Sequence, residues 1–175
     1  MGDYAPAVRR GIFSRRYRLR SKWELQAPVL DVFDALSRPI DYPKWWPQFR
    51  DVRRIDDLRY WMVVRAFLPY YLTYLMEAEI ADSARGVLQA RTDGDIVGRI
   101  RWQIDAGSRG TVAYLEERVE MQVDLLNLVA PVARVAFETN HRLMMRDGLL
   151  GLRAYLADRT PAEESERVRR WRHEL

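Results

Sequence analysis

From Tyr17 the chain alternates, with Tyr17, Leu19, Ser21, Trp23 and Leu25 on one side and Arg18, Arg20, Lys22 and Glu24 on the other. Charges opposite apolar groups at a period of two mark a strand with one face in a core. Pro28 then stands where helices commonly start. Val29, Val32, Phe33 and Leu36 give the short helix that follows its apolar side, and Pro39 ends it. Further strand patterns cover Val52–Ile55, Tyr60–Leu68, Tyr70–Ile80, Val87–Thr92, Ile96–Asp105 and Thr111–Val123. In the third of these Leu72, Tyr74, Met76, Ala78 and Ile80 share a side; in the fifth Ile100, Trp102 and Ile104 do. Asp93-Gly94-Asp95 and Gly107 to Gly110 supply turns. Such short spacings predict an antiparallel meander, because parallel pairing needs long crossovers.

After Asp124 the period changes to that of a helix. Leu126, Ala130, Ala133, Phe137, His141, Met144, Gly148, Leu152 and Tyr155 recur at steps of three or four and form one stripe of about eight turns. Pro131 marks a kink or a restart near its beginning. A curved antiparallel sheet of six to seven strands with one long C-terminal helix predicts an α+β fold in which the sheet grips the helix.

Between the first helix and the meander lies DYPKWWPQF, Asp41 to Phe49. Pro43 and Pro47 bar a long helix or strand, so this is a kinked connector. It carries two of the protein's six tryptophans, Trp45 and Trp46. Two indoles in such a piece are there to be buried or to wall a ligand site, and both readings stand.

The 175 residues suit one domain, with no cysteine and only two histidines, His141 and His173. Disulfides and thiolate chemistry are thereby excluded, and no cofactor or metal is expected. The N-terminus lacks a signal-peptide core and no run is long enough to span a bilayer, so a cytoplasmic location is expected. The net charge of +4 is concentrated at the ends. Residues 1–16 read as a basic arm, 17–158 as the folded domain and 159–175 as a charged tail. Both ends are solvated segments, or places where an anionic membrane surface is touched peripherally. Nucleic acid is disfavoured, because no exposed aromatic-basic strand motif is present.

Trp23-x-x-x-Ala27-Pro28, YPKWWP from Tyr42 to Pro47, LPY from Leu68 to Tyr70, GDIVG from Gly94 to Gly98, Trp102, Thr111 and NHRLMMRDG from Asn140 to Gly148 occur in one order. With them the chain resembles the polyketide cyclase/dehydrase and lipid-transport family of the START-like (SRPBCC, helix-grip) superfamily, from about Tyr17 to Leu156. The resemblance implies a hydrophobic cavity between sheet and helix and a carrier, sensor or cyclase role. Ile100 stands where relatives often have glycine, and Glu117 where an aromatic is frequent, so no relative's ligand carries over. The ring-hydroxylase branch is disfavoured, since the Cys/His pairs of a Rieske cluster are absent.

By phase, the cavity lining falls to Tyr74, Met76, Ile100, Trp102, Leu115, Phe137, His141 and Met144, with Trp46 at one end and a void above roughly 300 Å³ expected. His141 lies on the apolar stripe, either as a core histidine or as an acid/base group. Glu117 shares its side with Ala113, Leu115, Val119, Met121 and Val123. There a carboxylate needs a partner, His141 or Tyr74. Alternatively a bulge at Leu115–Glu117 turns it to solvent. Gly148 makes room for a ligand or for a tryptophan. This thin inventory favours binding or transport of an apolar small molecule such as a lipid, fatty acid or polyketide. The alternative is a polyketide cyclase, aromatase or dehydratase in which His141, with Glu117 or a tyrosine, moves protons.

Overall fold

The computed structural model describes residues 15–65, 71–122 and 130–158. The arm and tail, Leu126 and the LPY motif lie outside the described residues, apart from the first strand's start at Arg15. In chain order the elements are β1 (Arg15–Leu25), α1 (Val29–Ser37), a 3-10 turn (Pro39–Asp41), α2 (Tyr42–Trp45), β2 (Phe49–Arg54), β3 (Arg59–Arg65), β4 (Tyr71–Asp82), β5 (Val87–Gly94), β6 (Ile96–Gly107), β7 (Gly110–Met121) and α3 (Ala130–Ala157).

The strands form one antiparallel sheet of seven in the order β1-β7-β6-β5-β4-β3-β2. Strands β2 to β7 are a simple meander. The first strand instead joins the far side of β7, with Trp23 opposite Ala113. The two edges are therefore β1 and β2, and α1, the 3-10 turn and α2 carry the chain from one edge to the other. A connector that bridges both edges closes one end of the curved sheet, and this places the WWP segment at that end. Tyr42 to Trp45 manage one helical turn that takes in Pro43 near its start and ends before Pro47, with Trp46 N–H donating to the Tyr42 carbonyl at 2.7 Å.

The 28-residue α3 runs about 42 Å at 1.5 Å per residue along the inner face of the sheet. Pro131 is its second residue, where a missing N–H costs nothing, so it starts the helix without kinking an interior. The two layers enclose one core in which Trp23, Met62, Ile104, Leu152 and Val32 are almost wholly buried. Its densest part is aromatic: Trp23 meets Trp102 at 4.9 Å and Trp46 at 5.3 Å, and Trp46 stacks on Trp45 at 5.3 Å. The Tyr42 hydroxyl donates to the Leu36 carbonyl at 2.6 Å, so its phenol is buried with a partner. This is the α+β helix grip that the pattern predicts.

The expected inward row of β4 holds through Leu72, Tyr74 and Met76 and then fails. The register slips between Ala78 and Ile80 against β5, and Ile80 emerges on the outer face, exposed. One extra residue in one strand reverses every side chain beyond it.

Candidate functional site

Helix α3 comes down on the WWP connector where its side chains are smallest. A Cβ at Gly148 would lie 2.5 to 2.9 Å from the Trp46 indole, and one at Gly151 would lie 1.6 Å from the Trp45 carbonyl oxygen. The indole Nε1–H of Trp46 donates to the Met144 carbonyl at 2.9 Å. Gly148 thus receives a tryptophan, and the alternative that it leaves room for a ligand is overturned.

Beyond this contact lies an apolar chamber. Helix α3 supplies Phe137, Asn140, His141, Met144 and Met145; the connector end supplies Tyr42, Trp46 and Phe49; the strands supply Met62, Val64, Arg65, Leu72, Tyr74, Met76, Ile96, Ile100, Trp102, Leu115, Glu117 and Val119. Every residue assigned to the lining from phase stands in this wall. The volume does not meet expectation. The chamber measures about 90 Å³, against the ~300 Å³ at the low end of ligand pockets. The physical cause is the close approach at Gly148 and Gly151, which brings α3 onto the tryptophans and lets Met144 and Met145 fill the gap. Larger hollows lie on the outer surface among charged side chains, away from this wall.

A shielded carboxylate interrupts the apolar wall. β7 pairs with β1 and β6 in unbroken register, Glu117 lying opposite Leu19 and Ile100. No bulge intervenes, so alternation carries Glu117 inward between Leu115 and Val119. Its carboxylate stands 2.9 Å from Nε2 of His141. Both side chains are largely shielded, at 18% and 10% exposure. The contact is close but oblique: it lies off the ring N–H direction, and Nε2 makes no aligned hydrogen bond. The ring thus keeps hydrogen-bonding capacity toward the chamber. Nearby, burial first and the Glu117 charge second push the Tyr74 phenol above its ordinary value. Tyr74 therefore stays neutral and a donor at any physiological pH.

Two polar lining residues escape the sequence reading, Arg65 and Asn140. An arginine at a strand end reads as surface charge, and Arg65 is indeed exposed at the rim. Among the described residues it has no carboxylate partner where the chamber opens. Asn140 immediately precedes His141 in the NHRLMMRDG motif, which was the available signal. Among the described residues no cluster of histidine, aspartate and glutamate has the geometry to hold a metal ion, and no helix is long and apolar enough to cross a membrane.

A curved antiparallel sheet, a long helix across its concave face and an apolar chamber between them define a helix-grip protein. Solved structures agree on the fold. The chain is similar to the Zhui aromatase/cyclase of a Streptomyces species, with a TM-score of 0.66, 17% identity and coverage of 86% of this chain and 98% of that one. A START superfamily protein from Mycobacterium smegmatis gives 0.63, 14%, 82% and 99%. The di-domain ARO/CYC BexL gives 0.64 and 17%, with 83% of this chain against 51% of that one. No curated protein matches the sequence. Residues 25–146 match the family described as polyketide cyclase/dehydrase and lipid transport, and the chain belongs to that family.

Proposed function

We propose that this protein binds an apolar small molecule, of the lipid, fatty-acid or polyketide kind, in the chamber between sheet and α3. The observation that carries the reading is the wall itself: a shell of aromatic and thioether side chains interrupted by one buried His141–Glu117 pair. A ligand's polar end meets that pair, with Tyr74 as a neutral donor beside it. Arg65 and Asn140 stand at the rim for an anionic group. The tail lies against Trp102, Ile100 and Met144. The closed volume of about 90 Å³ requires side chains to move before such a ligand enters. Met62, Met76, Met144 and Met145 suit this, since an unbranched thioether changes rotamer at little cost.

A second reading has its own observation. An imidazole whose Nε2 stands beside a carboxylate without an aligned hydrogen bond, near a neutral phenol, brings together the groups of an acid/base centre. On this reading His141 takes a proton from an activated carbon of a poly-β-ketone and Glu117 stabilises the imidazolium.

Native mass spectrometry of the purified protein, followed by titration with a fluorescent fatty acid, tests binding. Glu117→Leu and His141→Phe should each weaken binding by ~1–3 kcal/mol, because each removes one of the two polar groups that meet the ligand's polar end. The double variant should lose less than the sum. No saturable uptake of any apolar probe would refute the proposal, and strict additivity would remove the pair from it. Turnover of a poly-β-ketone that vanishes in His141→Phe would replace binding by catalysis.

A further inference from the structure

The outer face of the sheet carries a charge pattern that the chamber does not explain. Arg18, Arg118, Arg99 and Arg91 stand in direct cross-strand register on β1, β7, β6 and β5. At ~4.8 Å per strand step they form a row about 14 Å long. Like charges placed directly opposite one another destabilise a sheet. Nothing in the core requires arginine here, since alternation points all four away from it.

The counter-charge supplied by the chain is smaller than the charge: Arg16, Arg18, Arg20, Arg91, Arg99, Arg101 and Arg118 stand with Glu77, Glu79, Asp93, Glu116 and Glu120. Glu116 serves Arg18, Arg20 and Arg118, Glu79 serves Arg99, and Glu77 serves Arg91. Arg101, in the next row, hydrogen-bonds to the neutral Gln89. The four guanidinium side chains of the row remain 56% to 66% exposed. An open hollow of about 640 Å³ lies along the row, with Leu75 and Val97 in its wall and Arg91, Arg99 and Arg118 at its edge, together with Glu77 and Asp93. Tyr114 and Ile80 are exposed on the same face. Among the described residues no layer covers it.

We infer that this face docks the protein on an anionic lipid bilayer. A row of guanidiniums engages headgroup phosphates, Leu75 and Val97 suit the apolar base of a headgroup, and Tyr114 suits the membrane–water interface. Nucleic acid is the poorer match, because the aromatics of this face, Trp61, Tyr71 and Tyr114, are scattered over β3, β4 and β7 and none stands in the arginine row itself. The inference rests on strand register and surface charge, and it stands whatever the chamber holds.

The test is sedimentation of the full chain with phosphatidylcholine vesicles, with and without phosphatidylglycerol. Binding should require the anionic lipid and weaken with salt. Arg91→Gln, Arg99→Gln and Arg118→Gln combined should lower partitioning on the order of a hundredfold, at roughly fivefold per arginine. The same sites as lysine should retain most of the binding. Arg142→Gln, Arg146→Gln and Arg153→Gln combined change net charge equally, on α3 across the sheet from this face, and should leave most of it. Melting curves should place the glutamine variant close to the parent, because relief of the like-charge row is offset by loss of the exposed pairs with Glu77, Glu79 and Glu116. Equal losses in the two glutamine sets, loss in the lysine set, or capture by duplex DNA in place of vesicles would overturn the inference.

Discussion

A methyl group at position 148 tests how the grip closes. Inside a helix alanine is better than glycine by about 1 kcal/mol. Here the added carbon would meet the Trp46 indole at 2.5 to 2.9 Å, on a ring that is itself hydrogen-bonded to the Met144 carbonyl. Overpacking of that kind costs about 1–3 kcal/mol, so it outweighs the propensity gain. Gly148→Ala should therefore lower the urea midpoint; a rise would show that the indole yields freely. At this scale the sequence was informative where a residue broke its own pattern. His141 on an apolar stripe and Glu117 in an apolar row announced themselves. Arg65 did not, because an arginine at a strand end breaks nothing. The choice between a solvated and an inward Glu117 turned on whether β7 bulges, and only the pairing partners decide that.

Among the elements, the β5–β6 hairpin shows how turn chemistry holds the sheet beside the chamber. Asp95 follows Gly94, whose φ of 130° suits a residue without a side chain. The Asp95 carboxylate accepts from the Thr73 backbone N–H at 2.7 Å and from the Thr73 hydroxyl at 3.1 Å. The Asp95 carbonyl accepts from the Gln122 N–H at 2.9 Å. One residue thus ties the hairpin to β4 and to the end of β7. Asp95→Ala should cost about 1.5–3 kcal/mol, the range for hydrogen bonds to a charged group. Hydrogen exchange should quicken at Thr73 and its neighbours; unchanged exchange would mean that the turn holds without the carboxylate. Elements of period two and period 3.6 were legible in the sequence, as was this turn. The slip at Ala78/Ile80 was not, since the residues on both sides of it alternate equally well.

For the whole molecule, the meander followed from connection lengths, but the pairing of β1 with β7 is a long-range choice that no local pattern encodes. The chamber's volume was likewise illegible, because it depends on how far apart two layers settle. Their closeness has a measurable effect at alkaline pH. Burial, with Tyr60 adding at Tyr42 and Glu117 adding at Tyr74, raises both phenols above their ordinary value. A folded-state pKa above the unfolded one gives stability that is complete below about pH 10 and is lost as pH rises past that point. Of the nine tyrosines, Tyr42 and Tyr74 should form phenolate only as the protein unfolds, seen as ultraviolet absorbance changing together with circular dichroism. Smooth ionisation of all nine with native dichroism would contradict it.

Four of the six methionines, Met62, Met76, Met144 and Met145, face the chamber, and Met62 is fully buried. Thioethers adapt to a guest, but they are also the residues that peroxide converts to polar sulfoxides. In the closed state the packed aromatics keep oxidants from Met62. Any opening wide enough for a ligand also exposes that sulfur. On the proposed binding, receptivity and oxidative ageing would be set by the same motion, and a guest filling the chamber would shield the sulfurs while it stays.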